Sequence, residues 1–144
     1  MSFTSQINKF ADKANNEANK VVRGTALGMF SKIVLRTPVG KPSIWKRPNS
    51  APAGYTGGRL RGNWQITLHN PALDTVDAID KSGSSTISDG NNELRKVDGD
   101  MSIYFTNNLP YAKAVEDGHS QQARPVGMVA ATVADYQSIL RDNL

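Results

Sequence analysis

The chain's whole supply of imidazole is His69 and His119, and it has no cysteine. Two imidazoles without thiolates do not build a metal centre. Asp74, Asp77 and Asp80 recur at every third position. They lack the glycine and distal glutamate of a calcium loop, so the expectation is three solvated carboxylates. Asp117, His119 and Ser120 bring acid, base and hydroxyl close together in sequence. A catalytic triad is an arrangement in space, and adjacency along a chain is poor support for a hydrolase. Gly118 reads better as a helix C-cap and Ser120 as a polar loop residue. Gly57, Gly58 and Gly62 have no Gly-Lys-Ser/Thr after them, and their run leads into an alternating segment, so they read as a sharp entry to a strand and not as a phosphate loop. No residue stands out as catalytic, cofactor-binding or metal-binding.

The remaining chemistry is that of binding. Residues 18–73 contain no Asp or Glu and nine basic residues, whereas residues 74–144 hold eleven acids against six bases. A one-sign block of this length attracts phosphates or an acidic protein surface, unless folding lays the acidic half against it. Both outcomes stay open. Within the block, Arg59 and Arg61 fall on one face if the segment is a strand, where two guanidiniums side by side can grip carboxylates or phosphates. Ordinary surface charge is the competing reading.

These residues need elements to hold them. Residues 5–35 place Ile7, Phe10, Ala11, Ala14, Ala18, Val21, Val22, Met29 and Ile33 at three-and-four spacing, which predicts one long helix. Ser5 is its expected N-cap and Pro38 its stop. A rod of roughly 46 Å follows from the rise per residue, long enough for part of it to pack on a neighbouring subunit. Gly24 and Gly28, one turn apart, either permit close helix contact or mark a bend. Residues 37–58, TPVGKPSIWKRPNSAPAGYTGG, hold four prolines and four glycines, so they form a long loop. Ile44, Trp45 and Tyr55 give that loop reason to dock on a partner, or Trp45 to fold back on its own core.

Residues 59–68 alternate and predict a half-buried strand ended by Asn70-Pro71. Residues 74–80 suggest a short strand and 84–97 a short helix interrupted at Gly90-Asn91-Asn92. Asp98-Gly99-Asp100 makes a turn, 101–106 a strand with Ile103 and Phe105 on one face, 110–117 a short helix and 125–141 a closing helix with Pro125 in its first turn. The fold class is α+β: a long N-terminal helix and a C-terminal helix packed on a small antiparallel sheet, with a long Pro/Gly-rich loop. The chain reads as one domain over 1–144, divided into the helix (1–36), the docking loop (37–58) and the sheet with its closing helix (59–144).

Composition agrees with this. The chain has 144 residues, 38% hydrophobic and 21% charged, with a net charge of +4 and a pI near 9.5, and suits a soluble globular domain. No apolar run approaches the ~20 residues of a membrane span. The N-terminal MSFTSQINKF lacks an apolar signal core, which argues against export by that route. Absent cysteines fit synthesis in a reducing cytosol.

Three segments carry a resemblance: TPVGKPSIWKRPNSAPAGYTGGRLRGNWQ at 37–65, IYFTNNLPYAKAVEDGHS at 103–120, and the Gln-Ala, Pro, Gly-Met-Val run at 122–129. In this order they resemble the neck and tail-completion proteins of tailed bacteriophages, the group that includes the lambda minor tail protein Z. The patterns are T-P-V, then T-G-x-R with N-W after it (Thr56, Gly57, Arg59, Asn63 and Trp64 here), then T-N-x-x-P-Y-A with a following Glu and Gly. One departure is Arg124, which separates Ala123 from Pro125 where the group often reads Gln-Ala-Pro.

The resemblance implies a structural virion protein of the head–tail junction, not an enzyme. It implies an oligomeric ring of copies around the DNA channel, with head-connector and tail-terminator proteins as partners; the basic face then meets either packaged DNA, without sequence specificity, or an acidic neighbouring ring, and no cofactor and no membrane are expected. Trp45, Lys46, Arg47, Tyr55, Arg59, Arg61, Tyr111 and Glu116 are then the candidate partner-binding residues, and Trp64, Asn107, Pro110, Gly118, Pro125 and Gly127 the residues the fold needs. A ring requires head-to-tail interfaces, which an acid-free half and an acid-rich half suit. The alternative is a small basic nucleic-acid-binding module working outside a virion, favoured by interleaved Trp45, Tyr55 and Trp64; a small hydrolase using His119 or Ser120 is a third and weaker reading.

Overall fold

The computed structural model describes residues 2–119 and 127–144. Its dominant element is α1, Phe3–Arg36, a helix of 34 residues. The cap is Ser2 and not Ser5: the Ser2 hydroxyl accepts the Ser5 N–H at 3.1 Å, so the helix begins nearly one turn earlier than a Ser5 cap would start it. At the far end Pro38 pushes the preceding residue out of helical conformation. Thr37 accordingly sits at φ −69°, ψ 122°, and its N–H still reaches the Ile33 and Val34 carbonyls at 3.0 and 3.2 Å.

The two halves of α1 differ. Residues 19–36 bury Ala26, Phe30, Ile33 and Val34, whereas residues 3–18 are exposed apart from a half-buried Ser5. The buried half meets a core of Leu60, Trp64, Ile66, Leu94, Val97, Leu109 and Met128, and Phe30 meets the Phe105 ring at 5.3 Å between centroids. Removing each such large side chain from water contributes about 1.5–3 kcal/mol.

The chain then makes two single 3-10 turns, Pro42–Ile44 and Pro48–Ser50, where the sequence predicts the Pro/Gly-rich loop. Positive φ at Gly57 (76°) and Gly58 (95°) turns it sharply into α2, Arg59–Gly62. The predicted strand over 59–68 is therefore halved: its first part is a helical turn and only Gln65–Leu68 forms strand β1. The alternation expected of Arg59 and Arg61 fails for the same reason. β1 pairs antiparallel with β2, Ile103–Thr106, with Ile66 opposite Phe105.

Residues 74–80, expected as a strand, run alongside 58–65 without a ladder. One backbone bond joins them, from the Asp80 N–H to the Gly58 carbonyl at 3.1 Å, and side chains take other backbone groups. Asn63 Oδ1 accepts the Val76 N–H at 2.8 Å, Gln65 Nε2 donates to the Asp74 carbonyl at 2.8 Å, and Asn108 Nδ2 donates to Ala72 and Asp74 carbonyls at 2.8 and 3.1 Å.

Helix α3, Ser84–Leu94, runs unbroken through Gly90. A Cβ there would stand 2.5 Å from Phe30 Cε1, so the glycine serves close packing and does not interrupt the helix. After β2 come α4, Ala112–Ala114, and a wide turn, Val115–His119, that ends at Gly118 with φ 89°. The predicted closing helix is two helices, α5, Met128–Ala134, and α6, Tyr136–Asp142, broken at Asp135. Its expected start at Pro125 lies outside the described residues. α6 lies against α1: a Cβ on Gly28 would stand 2.7 Å from Ile139 Cγ2. Gly24 and Gly28 thus permit close helix contact, which decides between the two readings of that pair. The architecture is α+β, with helices around a small two-stranded antiparallel sheet.

Candidate interaction surface

The fate of the nine basic residues of 18–73 locates the surface. Lys20 pairs with Glu17 at 3.4 Å, and Lys32 and Arg36 converge on Asp135 at 3.4 and 2.5 Å. Those two pairs, with the Arg36 bond to Thr132 Oγ1 at 3.0 Å, bring the acidic half onto the basic half at one place. The Asp135 carboxyl is held below its ordinary value by its hydrogen bonds from Arg36 and then Lys32. Arg23 donates to the Val97 carbonyl. Arg61 donates to the carbonyls of Thr37 (2.7 and 3.1 Å), Lys81 (2.5 Å) and Leu35 (3.1 Å), clamping the C-terminal end of α1. Burial lowers the Arg61 value, against a smaller opposing pull from Asp80.

Four cations are left over. Lys41, Lys46, Arg47 and Arg59 are exposed, and none enters an ion pair among the described residues. All four belong to the 37–58 loop or the turn that follows it.

The loop that presents them is closed on itself. Pro42 and Pro48 each open a 3-10 turn, with Trp45 N–H on the Pro42 carbonyl at 3.0 Å and Ser50 N–H on the Arg47 carbonyl at 3.0 Å. Trp45 and Tyr55 meet edge to face at 5.2 Å and 66°, a geometry favoured by the ring quadrupoles. Tyr55 lies across Gly40, and a Cβ on Gly57 would stand 2.8 Å from the Gly40 carbonyl oxygen. Trp45 is half-buried and packs within its loop; it is not part of the main core. Tyr111 lies nearby: burial pushes its hydroxyl above the ordinary value, Arg59 pulls it back, and Tyr55 adds to the rise. Trp45, Tyr55, Arg59 and Tyr111 are thus brought to one region, with Lys46 and Arg47 projecting from the same loop.

Arg61 and Glu116 go elsewhere. Glu116 Oε2 and Oε1 accept the Val129 and Ala130 N–H groups at 2.9 and 3.0 Å, placing a carboxylate at the N-terminal end of α5, where helix ends favour an anion. Gly127 makes room for it, because a Cβ there would overlap the Glu116 carboxylate. Sequence reading separates these two residues into interface and fold, and only the folded chain joins them.

The residues that carry the resemblance form the frame. Buried Thr37 donates to the Ile33 carbonyl at 2.7 Å and accepts from Trp64 Nε1 at 2.7 Å. Asn63, fully buried, donates to the Arg59 carbonyl at 2.8 Å and accepts from Val76 N–H. Asn107 donates to the Leu60 carbonyl at 2.8 Å and accepts from the Leu109 N–H at 3.3 Å. Pro110 precedes α4 on the surface. Asp80 departs from the expected trio of solvated carboxylates: it accepts from Gly83 N–H, Thr86 N–H and Thr86 Oγ1 at 3.0, 2.8 and 2.7 Å, capping α3. Burial alone would raise its value, but the bonds from Thr86, Gly83 and Ser82 outweigh burial and hold it low.

Asp117 pairs with Lys113 at 2.8 Å, and Ser120 lies outside the described residues. Among the described residues no three His, Cys, Asp or Glu come together, and no helix is long and apolar enough to cross a membrane.

Neither curated proteins nor solved structures give a match. The family model described as "Bacteriophage HK97-gp10, putative tail-component" matches residues 2–118, which takes in α1, the basic loop, the sheet and α4. The third motif falls beyond that range. With well over half of its length matched, the chain belongs to the HK97-gp10-like family of phage tail components.

Proposed function

We propose that the chain is a neck subunit of a tailed phage. In this reading it joins the head connector to the tail as one copy in a ring around the DNA channel, with the tail terminator as its other neighbour. The observation that carries the proposal is the set of four exposed cations, Lys41, Lys46, Arg47 and Arg59, that enter no ion pair among the described residues and belong to the loop of the Trp45–Tyr55 pair or the turn after it, in a member of a phage tail-component family. Exposed cations without internal partners raise the local concentration of an anionic surface and set its orientation. The rings of Trp45 and Tyr55 are engaged with each other edge to face, which favours an acidic protein surface over a stacked single strand as the ligand. Function then resides in shape and charge, and the chain transforms no substrate.

Electron microscopy of particles made without this protein tests the reading. Filled heads and finished tails should accumulate separately. Joined, infectious particles would contradict it.

A further inference from the structure

Strand β1 has a partner on one edge only, since β2 is its single neighbour among the described residues. One bond fixes which way its backbone groups point: the His69 N–H donates to the Ser102 carbonyl at 3.1 Å. Bonded and non-bonded positions alternate along an antiparallel pair. Residues 65 and 67 therefore also turn their groups to β2, and Ile66 and Leu68 turn theirs to the opposite edge. There the Leu68 carbonyl accepts the Asn70 N–H at 2.9 Å. The Ile66 N–H, the Ile66 carbonyl and the Leu68 N–H meet no donor or acceptor among the described residues. Ile66 is only 5% exposed, and buried backbone groups are nearly always paired.

That edge borders a groove of about 430 Å³. Gln65 and Thr67 of β1 line one side of it, Ser85 and Asp89 of α3 another, and Ile79, 66% exposed, lines it as well. Residues 76–80 reach the groove without using the edge: the Val76 N–H goes to Asn63 Oδ1 and the Asp80 N–H to the Gly58 carbonyl. Three carboxylates, Asp80, Asp89 and Glu93, are among the lining residues and no cation is. Asp80 is engaged in the α3 cap. Glu93 pairs with Lys96 at 2.8 Å. Asp89 is exposed and enters no ion pair among the described residues.

We propose that the groove takes an extended segment of a partner protein, added as a third strand on the free edge of β1. Main-chain bonds to Ile66 and Leu68 hold such a strand, and its alternate side chains give specificity. An aliphatic residue of the segment lies against Ile79, and a Lys or Arg faces Asp89. Four residues of β1 at about 3.3 Å each offer an edge of roughly 13 Å, enough for a segment of about four residues. A second copy is the poorer occupant: β1 and β2 already pair with each other, and 74–80 is tied to 58–65. The site uses none of the loop cations, so it stands or falls apart from the neck reading.

The test titrates the purified full-length protein with the peptide acetyl-Ser-Val-Lys-Val-Ser-amide, followed by amide NMR. The Ile66 and Leu68 N–H resonances should move downfield, and their exchange with solvent should slow at least about tenfold. The same peptide with Glu in place of Lys should bind about three- to tenfold more weakly, and Asp89→Lys should reverse that order. Ser85→Trp fills the groove from an exposed position on α3 and should abolish the shifts with the circular dichroism unchanged. Four results would overturn the inference. One is no movement at Ile66 and Leu68 with the peptide at about 5 mM. Another is movement that survives Ser85→Trp. The third is equal affinity for the Lys and Glu peptides. The last is the same resonances moving when the protein alone is concentrated from about 20 µM to about 1 mM, which would give the edge to a second copy.

Discussion

Thr37 ties three parts of the chain together through one residue: the end of α1, the Trp64 ring nitrogen and, through its carbonyl, the Arg61 guanidinium. Thr37→Val keeps the shape but strands the buried Trp64 N–H. It should cost about 1–3 kcal/mol in denaturant unfolding, with Thr37→Ser close to wild type. Asp80 gives a prediction with a pH signature. Its folded value is depressed, so its contribution is in place above the ordinary carboxylate value near ~4 and is lost as pH falls through the folded value. Asp80→Asn should therefore cost about 1 kcal/mol near neutrality. The gap between variant and wild type should close in unfolding curves below about pH 4. Neither role was visible in the sequence. Thr37 could be read only as the residue before a proline, and Asp80 only as one of three spaced acids, because their partners Trp64 and Thr86 become neighbours only once the Gly57-Gly58 turn and α3 are in place.

At the scale of elements, the long helix, the 37–58 loop, the second strand and the existence of α3 were all legible, because each rests on local signals: apolar periodicity, proline density and β-branched or aromatic runs. Three were not. Residues 59–62 alternate in type, yet positive φ at Gly57 and Gly58 starts a helical turn. Residues 74–80 are extended, but Asn63, Gln65 and Asn108 occupy the groups a ladder would use. The closing helix breaks at Asp135, where that carboxylate turns to Lys32 and Arg36. Long-range partners decided the last two. Gly90 and Glu116 test such partnerships. Gly90→Ala gains about 1 kcal/mol of helix propensity but forces a methyl onto Phe30, and the balance should be a net loss of about 1–2 kcal/mol in thermal unfolding. Glu116→Ala removes the α5 cap and should lower stability by about 0.5–2 kcal/mol, with amide exchange fastest at Val129 and Ala130.

Across the whole molecule, folding divides the basic block of 18–73 into cations with internal partners and cations without. The sequence left open whether the acidic half would neutralise that block. Asp135 answers for Lys32 and Arg36, and the loop cations remain unpaired among the described residues. Their display beside Trp45, Tyr55 and Tyr111 is the basis for reading the surface as a docking face in a phage tail component. The most direct measurement replaces the missing protein in a deletion phage with Lys46→Glu/Arg47→Glu and counts joined particles by electron microscopy. A soluble variant of unchanged melting temperature that leaves filled heads and finished tails apart is the predicted result. Joined, infectious particles at wild-type numbers would contradict the account.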